Sequence, residues 1–162
     1  LIYVTDKINK IFMNNIQVET DYANLRKRIM SLSASSSRKW GKMDIQQMIV
    51  HCTAQLKLAV GEISTQEQGS YFMRSGLGKW IIFSNLPWPK GVKTPGAINV
   101  ETNNFSLTDI EIEKTDLLNY LEKVKNEEQL KPHPFFGNLN RKEWARLIYK
   151  HLDHHLKQFS SD

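Results

Sequence analysis

The stretch that leaves this chain least freedom is Asn140 to Phe159, NRKEWARLIYKHLDHHLKQF. Trp144, Ile148, His151, His155 and Phe159 recur at three- and four-residue steps, the period of one helix face. Asn140, with Glu143 three residues on, supplies a capping box at the helix start. The spacing therefore predicts a helix whose core side carries two imidazoles, His151 and His155. Burial strips such groups of water, so the fold must bring them partners. Two histidines four apart also match the geometry of helical metal sites. The HExxH protease chemistry is excluded, because Leu152 stands where the general-base Glu would be. Asp153 points away from the His151/His155 side and is not expected to ligate.

A second helix is predicted between Asp44 and Gly61. Asp44 and Gln47 form another capping box, and Gly61 is a C-terminal stop. Ile45, Met48, Ile49, Cys52, Leu56, Ala59 and Val60 form its apolar face, with His51 and Gln55 one turn apart beside it. If this helix and the His-rich helix are neighbours, His51 supplies a third imidazole inside the bundle. Three neutral nitrogens suit Ni²⁺, Zn²⁺ or another first-row divalent ion. They leave coordination positions for water or substrate, whereas a structural zinc site is normally closed by four protein ligands.

Two more helices complete the expected bundle. One runs over about Thr5–Ser33, with a break near Val18–Asp21. The other runs over about Leu107–Asn126, capped by Thr108 or Asp109. Between the second and third helices lies a long crossover, Glu62–Phe105, with a short helix expected at Ser70–Asn85 and a Pro- and Gly-rich run after it. It carries Trp80 and Trp88 and is expected to cover one end of the domain. Lys131–Asn138 reads as a turn whose Phe135 and Phe136 plug the bundle. The fold class is all-α, a single four-helix-bundle domain over 1–162, with the long second connection allowing an up-down-down-up order.

Most of the remaining site candidates keep more than one reading. His154 either replaces His155 as ligand, or supports the site, or lies exposed. His133, between Pro132 and Pro134, lines the mouth of the site or anchors its loop. Gln55 orients a molecule on the metal or faces solvent. Trp40, Trp88 and Trp144 wall a pocket or fill the core. Cys52, directly after His51, points about 100° away from it and reads as a small buried apolar residue.

Charge and composition remove several function classes. The net charge of +5 comes from dispersed Lys and Arg, and the cluster Arg26-Lys27-Arg28 reads as a solvated helix face, so no nucleic-acid partner is expected. No apolar run reaches the roughly 20 residues that cross a bilayer, so no membrane association is expected. The N-terminal LIYVTDKINK lacks the basic-then-apolar pattern of a signal peptide. One cysteine permits no internal disulfide and points to a reducing, cytoplasmic setting.

Several motifs together carry a family likeness. Trp40-Gly41-Lys42-Met43, Gln47-Met48 and His51 stand in the first half. Leu86-Pro87-Trp88-Pro89-Lys90-Gly91, His133-Pro134-Phe135-Phe136-Gly137, Glu143-Trp144 and Lys150-His151-Leu152-Asp153-His154-His155-Leu156-Lys157-Gln158-Phe159 follow. From Trp40 onward the chain resembles the DinB/YfiT-like superfamily of metal-binding four-helix bundles. The resemblance implies His51, His151 and His155 as metal ligands. It also implies a metal-dependent enzyme, such as the superfamily's bacillithiol- or mycothiol-dependent S-transferases and its maleylpyruvate isomerase, in which the metal activates a thiol. A small-molecule substrate, possible use of a low-molecular-weight thiol, and a homodimer follow as expectations of the likeness. The alternatives are a non-catalytic bundle that holds a metal or ligand, and a metal-free histidine cluster.

Overall fold

The computed structural model describes residues 13–88, 96–100, 103 and 105–159. Among these the chain is helical, with no strand beyond one isolated bridge between His133 and Gly137. Four long helices form the frame: α1 (Glu19–Met30), α2 (Ile45–Val60), α5 (Ile110–Asn126) and α6 (Arg141–Gln158). The crossover carries α3 (Tyr71–Arg74), α4 (Gly76–Phe83) and a 3-10 turn, η1 (Gly96–Ile98). No helix among the described residues is long and apolar enough to cross a membrane.

Both capping boxes form as the sequence requires. The Asp44 side chain accepts from Gln47 N–H and the Asn140 side chain from Glu143 N–H, with the reciprocal bonds present. Gly61 ends α2 in the left-handed conformation, φ 84°, where a side chain would be strained.

The first helix is shorter than the periodicity suggested, and residues 5–12 lie outside the described residues. Residues 13–18 form a turn instead, because Asp21 captures the Asn14 side chain at 2.7 Å and Asn15 N–H at 3.0 Å. The backbone thus enters α1 extended at Val18. Similarly, α5 starts at Ile110 rather than Leu107, since Asp109 caps it and Thr108 donates from both its backbone and hydroxyl to Glu113. The single crossover helix expected at 70–85 is two. The backbone turns extended at Ser75, whose hydroxyl accepts from Gly78 N–H to start α4. Of the proline-rich run, 89–95 lies outside the described residues.

Cross-links between helix ends fix their directions. Gln46 at the start of α2 donates to Thr108 O, and Glu62 past its end takes Tyr120 and Lys123 of α5, so α2 and α5 run side by side in one direction. Lys131 N–H reaches Ala59 O while Trp144 Nε1–H reaches Lys131 O, and Lys39 N–H reaches Gln158 O, so α6 runs back along α2. Lys125 with Glu19 and Lys114 with Leu32 O set α1 against α5 in the same opposed sense. Between these helices the core is apolar, with Leu25, Ile29, Met48, Ile49, Leu56, Leu117, Leu121, Trp144, Leu147, Ile148 and Leu156 all buried. Phe136 is buried at the bundle end against Phe83, while Trp80 of the crossover is 67% exposed.

Two cations of α6 tie the crossover down. Lys150 Nζ donates to the carbonyls of Ile82, Ser84 and Leu86 at 2.7, 2.8 and 3.0 Å. Arg146 donates to Phe83 O, Ser84 O, the Asn85 side chain and Asn14 O. Positive charge at the C-terminal carbonyls of α4 offsets the negative end of its dipole. Burial, followed by the nearby Arg146 charge, lowers the Lys150 ammonium to about 8. The clamp also delivers the next residues, including Trp88, to the histidine cluster.

Candidate metal centre

His51 from α2 and His151 and His155 from α6 converge in the bundle interior. Their exposures are 3%, 8% and 8%. Ring centroids lie 4.9 Å apart for His51–His151, 4.8 Å for His51–His155 and 4.6 Å for His151–His155. One ring nitrogen from each falls within 4.8 Å of the others, a spacing at which one metal ion can be held. Among the described residues no other group of three or more His, Cys, Asp or Glu side chains has this property.

The hydrogen bonds around the rings assign their tautomers. A carbonyl can only accept, so the 3.0 Å contact of His51 Nδ1 with Ile98 O makes Nδ1 the protonated nitrogen. The amide of Gln158 is oriented by its Nε2–H donating to Trp40 O at 2.7 Å. Its Oε1 therefore accepts from His155 Nδ1–H at 3.0 Å. Both residues then present a bare Nε2 lone pair, the arrangement in which ligating histidines are held by an acceptor behind the ring. Burial is the largest cause that keeps the three rings neutral: it lowers His51, puts His151 well below the usual imidazole range with help from the neighbouring imidazoles, and holds His155 at about 3. Neutral imidazole is the form that binds metal.

Gly41 makes the Gln158 contact possible. A Cβ there would collide with Gln158 Nε2, and φ is +84°. Its neighbour Trp40 offers both the carbonyl that orients Gln158 and an indole 6.0 Å from the His154 ring. Replacing Gln158 by Met keeps volume and removes the acceptor. That variant is expected to bind Zn²⁺ about 10–100-fold more weakly, measured by competition with a chromophoric chelator.

The other sequence candidates divide. Trp88 walls the cluster, its ring 6.2 Å from His151 and 6.4 Å from His154, fixed by its Nε1–H donating to Ile82 O at 3.2 Å. His154 is half-buried between Trp40 and Trp88, and its ring lies 5.2 Å from that of His155. Gln55 is 3% exposed and so does not face solvent. His133 is a loop anchor. Its backbone pairs with Gly137, its Nδ1 accepts from Phe135 N–H, and its ring stacks on Phe136 at 4.6 Å. Trp144 is core. Asp153 pairs with Arg28 at 2.8 Å and with Lys157 at 2.8 Å, away from the triad. Cys52 is buried beside Met48 Sδ, and burial raises its thiol, so it offers no thiolate.

Four functional contributions escaped the sequence reading: Gln158, Ile98, Arg146 and Lys150. Gln158 had a local signal, lying three residues after His155 on the same helix. Lys150 and Arg146 lie four apart among the apolar positions of α6, where two cations need carbonyl or carboxylate partners. The Ile98 carbonyl had none, because any residue supplies a carbonyl and only the path of the crossover brings this one to His51.

No curated protein and no solved structure matches the chain. A family profile described as a protein of unknown function, DUF1569, matches residues 16–162, which include the whole triad and the residues that support it. The chain belongs to the DUF1569 family.

Proposed function

We propose that the protein is a DinB-like, up-down-down-up four-helix bundle that binds one divalent metal ion, Ni²⁺ or Zn²⁺, through Nε2 of His51, His151 and His155. We propose further that it is a metal-dependent enzyme that transfers a low-molecular-weight thiol to a small electrophile. The carrying observation is the donor set itself: three neutral, buried imidazoles, two of them fixed by Ile98 O and Gln158 Oε1 so that Nε2 carries no proton. The helix directions and the motifs shared with DinB-like proteins support the fold assignment. A divalent ion at such a site supplies Lewis acidity that lowers the pKa of a thiol placed beside it.

The chain's own residues supply shape and dryness. Trp88 and Trp40 flank His154 and give the histidine cluster an aromatic border. Lys150 holds the segment that carries Trp88. In the transfer, the thiol sulfur forms the new S–C bond, the leaving group departs with its electron pair, and the thiol proton passes to solvent. Metal-loaded protein is expected to conjugate bacillithiol or mycothiol to a chloronitroaromatic probe faster than His51→Ala does. Equal rates would remove the transfer reading while leaving metal binding intact.

The depth of the ligands, all at least nine-tenths buried, favours a second reading in which the ion binds α2 to α6 without catalysis. That reading lacks a fourth protein ligand in the described cluster, which structural zinc sites normally have.

A further inference from the structure

We infer that Gln55 is the residue that orients His151 for the metal, as Ile98 does for His51 and Gln158 for His155. The inference rests on the metal reading above. His151 Nε2 lies 3.0 Å from His51 Nε2, which is bare because His51 Nδ1 holds the proton. Two bare lone pairs repel at that distance, so without metal His151 carries its proton on Nε2 and donates to His51. A ligating Nε2 must be bare, so neutral His151 then holds its proton on Nδ1. Metal binding therefore switches the His151 tautomer: one proton leaves Nε2, one arrives at Nδ1, and none is released overall.

The switched ring needs an acceptor at Nδ1, and that atom is buried without a partner. Gln55 Oε1 is a buried acceptor without a donor. Gln55 lies one turn after His51 on the same side of α2. Because α6 runs back along α2, the step from His51 to Gln55 follows α6 from His155 towards His151 and Ile148. Two complementary orphans on facing turns are satisfied together when Gln55 Oε1 takes the His151 Nδ1–H, directly or through one water.

The test compares wild type with Gln55→Met, which keeps the volume and loses the acceptor, and with Gln55→Glu, which keeps an acceptor. Gln55→Met is expected to weaken Zn²⁺ binding about 10–100-fold and Gln55→Glu to stay within about threefold of wild type. A packing role would give the opposite order. A second readout needs only wild type: ¹⁵N spectra of its imidazoles should show the His151 proton on Nε2 without metal and on a slowly exchanging Nδ1 with Zn²⁺. A His151 proton that stays on Nε2 in the Zn²⁺ form, or Gln55→Met affinity equal to wild type, overturns the inference alone. Wild type that takes no Zn²⁺ overturns it together with the metal reading.

Discussion

With Ni²⁺ or Zn²⁺ at about a hundred times its dissociation constant, wild-type protein is expected to melt roughly 5–11 °C higher than without metal, and His151→Ala not at all. Ligand that binds only the native state stabilises it by about 2.7 kcal/mol at that excess. A domain of this size shifts by about 2–4 °C per kcal/mol. The readout is the metal-dependent difference within each protein, because His151→Ala also opens a small cavity beside Trp88 and His155 and leaves His51 Nε2 without its neighbour. Differential scanning fluorimetry with and without chelator measures it. A metal-dependent rise of equal size in His151→Ala would show that the ion binds elsewhere.

The metal-free protein is expected to unfold in mild acid, with a midpoint between about pH 4 and 6. Burial is the main cause that depresses His51 and His151, and it holds His133 and His155 at about 3. The sign follows from the direction. Above the unfolded imidazole value near 6.5 both states are neutral and the stability is complete. As pH falls below it, the unfolded chain takes up protons that the native chain refuses, until the folded values are reached. Each such histidine removes about 1.4 kcal/mol per pH unit until its folded value is reached, so four together remove at most about 5 kcal/mol per unit, against a total stability of about 5–15 kcal/mol. Circular dichroism across an acid titration checks this. His133→Phe, outside the triad, should reduce the steepness by roughly a quarter, by the same linkage. A native signal that persists below pH 3.5 would contradict the burial argument.

What could be read beforehand was what depends on local spacing. The period of Trp144 through Phe159, the Asp44/Gln47 and Asn140/Glu143 boxes and the Gly61 stop each act over one or two turns, and each formed as expected. His51, His151 and His155 were legible for the same reason, since a histidine at helical register beside an apolar stripe has few places to go. The entry to α1 was not, because Asp21 reaches back to Asn14 and Asn15 and replaces a helical turn with a side-chain-bonded one. Nor was the support of the triad. It depends on a carbonyl from a crossover, an amide that reaches Trp40 past a glycine, and cations that seek the end of a short helix. Apart from the three-residue step from His155 to Gln158, these are contacts between distant segments, which no spacing in the chain encodes.

The most direct measurement is metal content by elemental analysis on tag-free protein, for wild type, His51→Ala and His155→Ala after exposure to Ni²⁺ or Zn²⁺ and removal of free ion. The account predicts one equivalent in wild type and none in either variant, because the ligands come from two helices and neither holds the ion alone. Wild type without metal after reconstitution, or variants that retain a full equivalent, would contradict it.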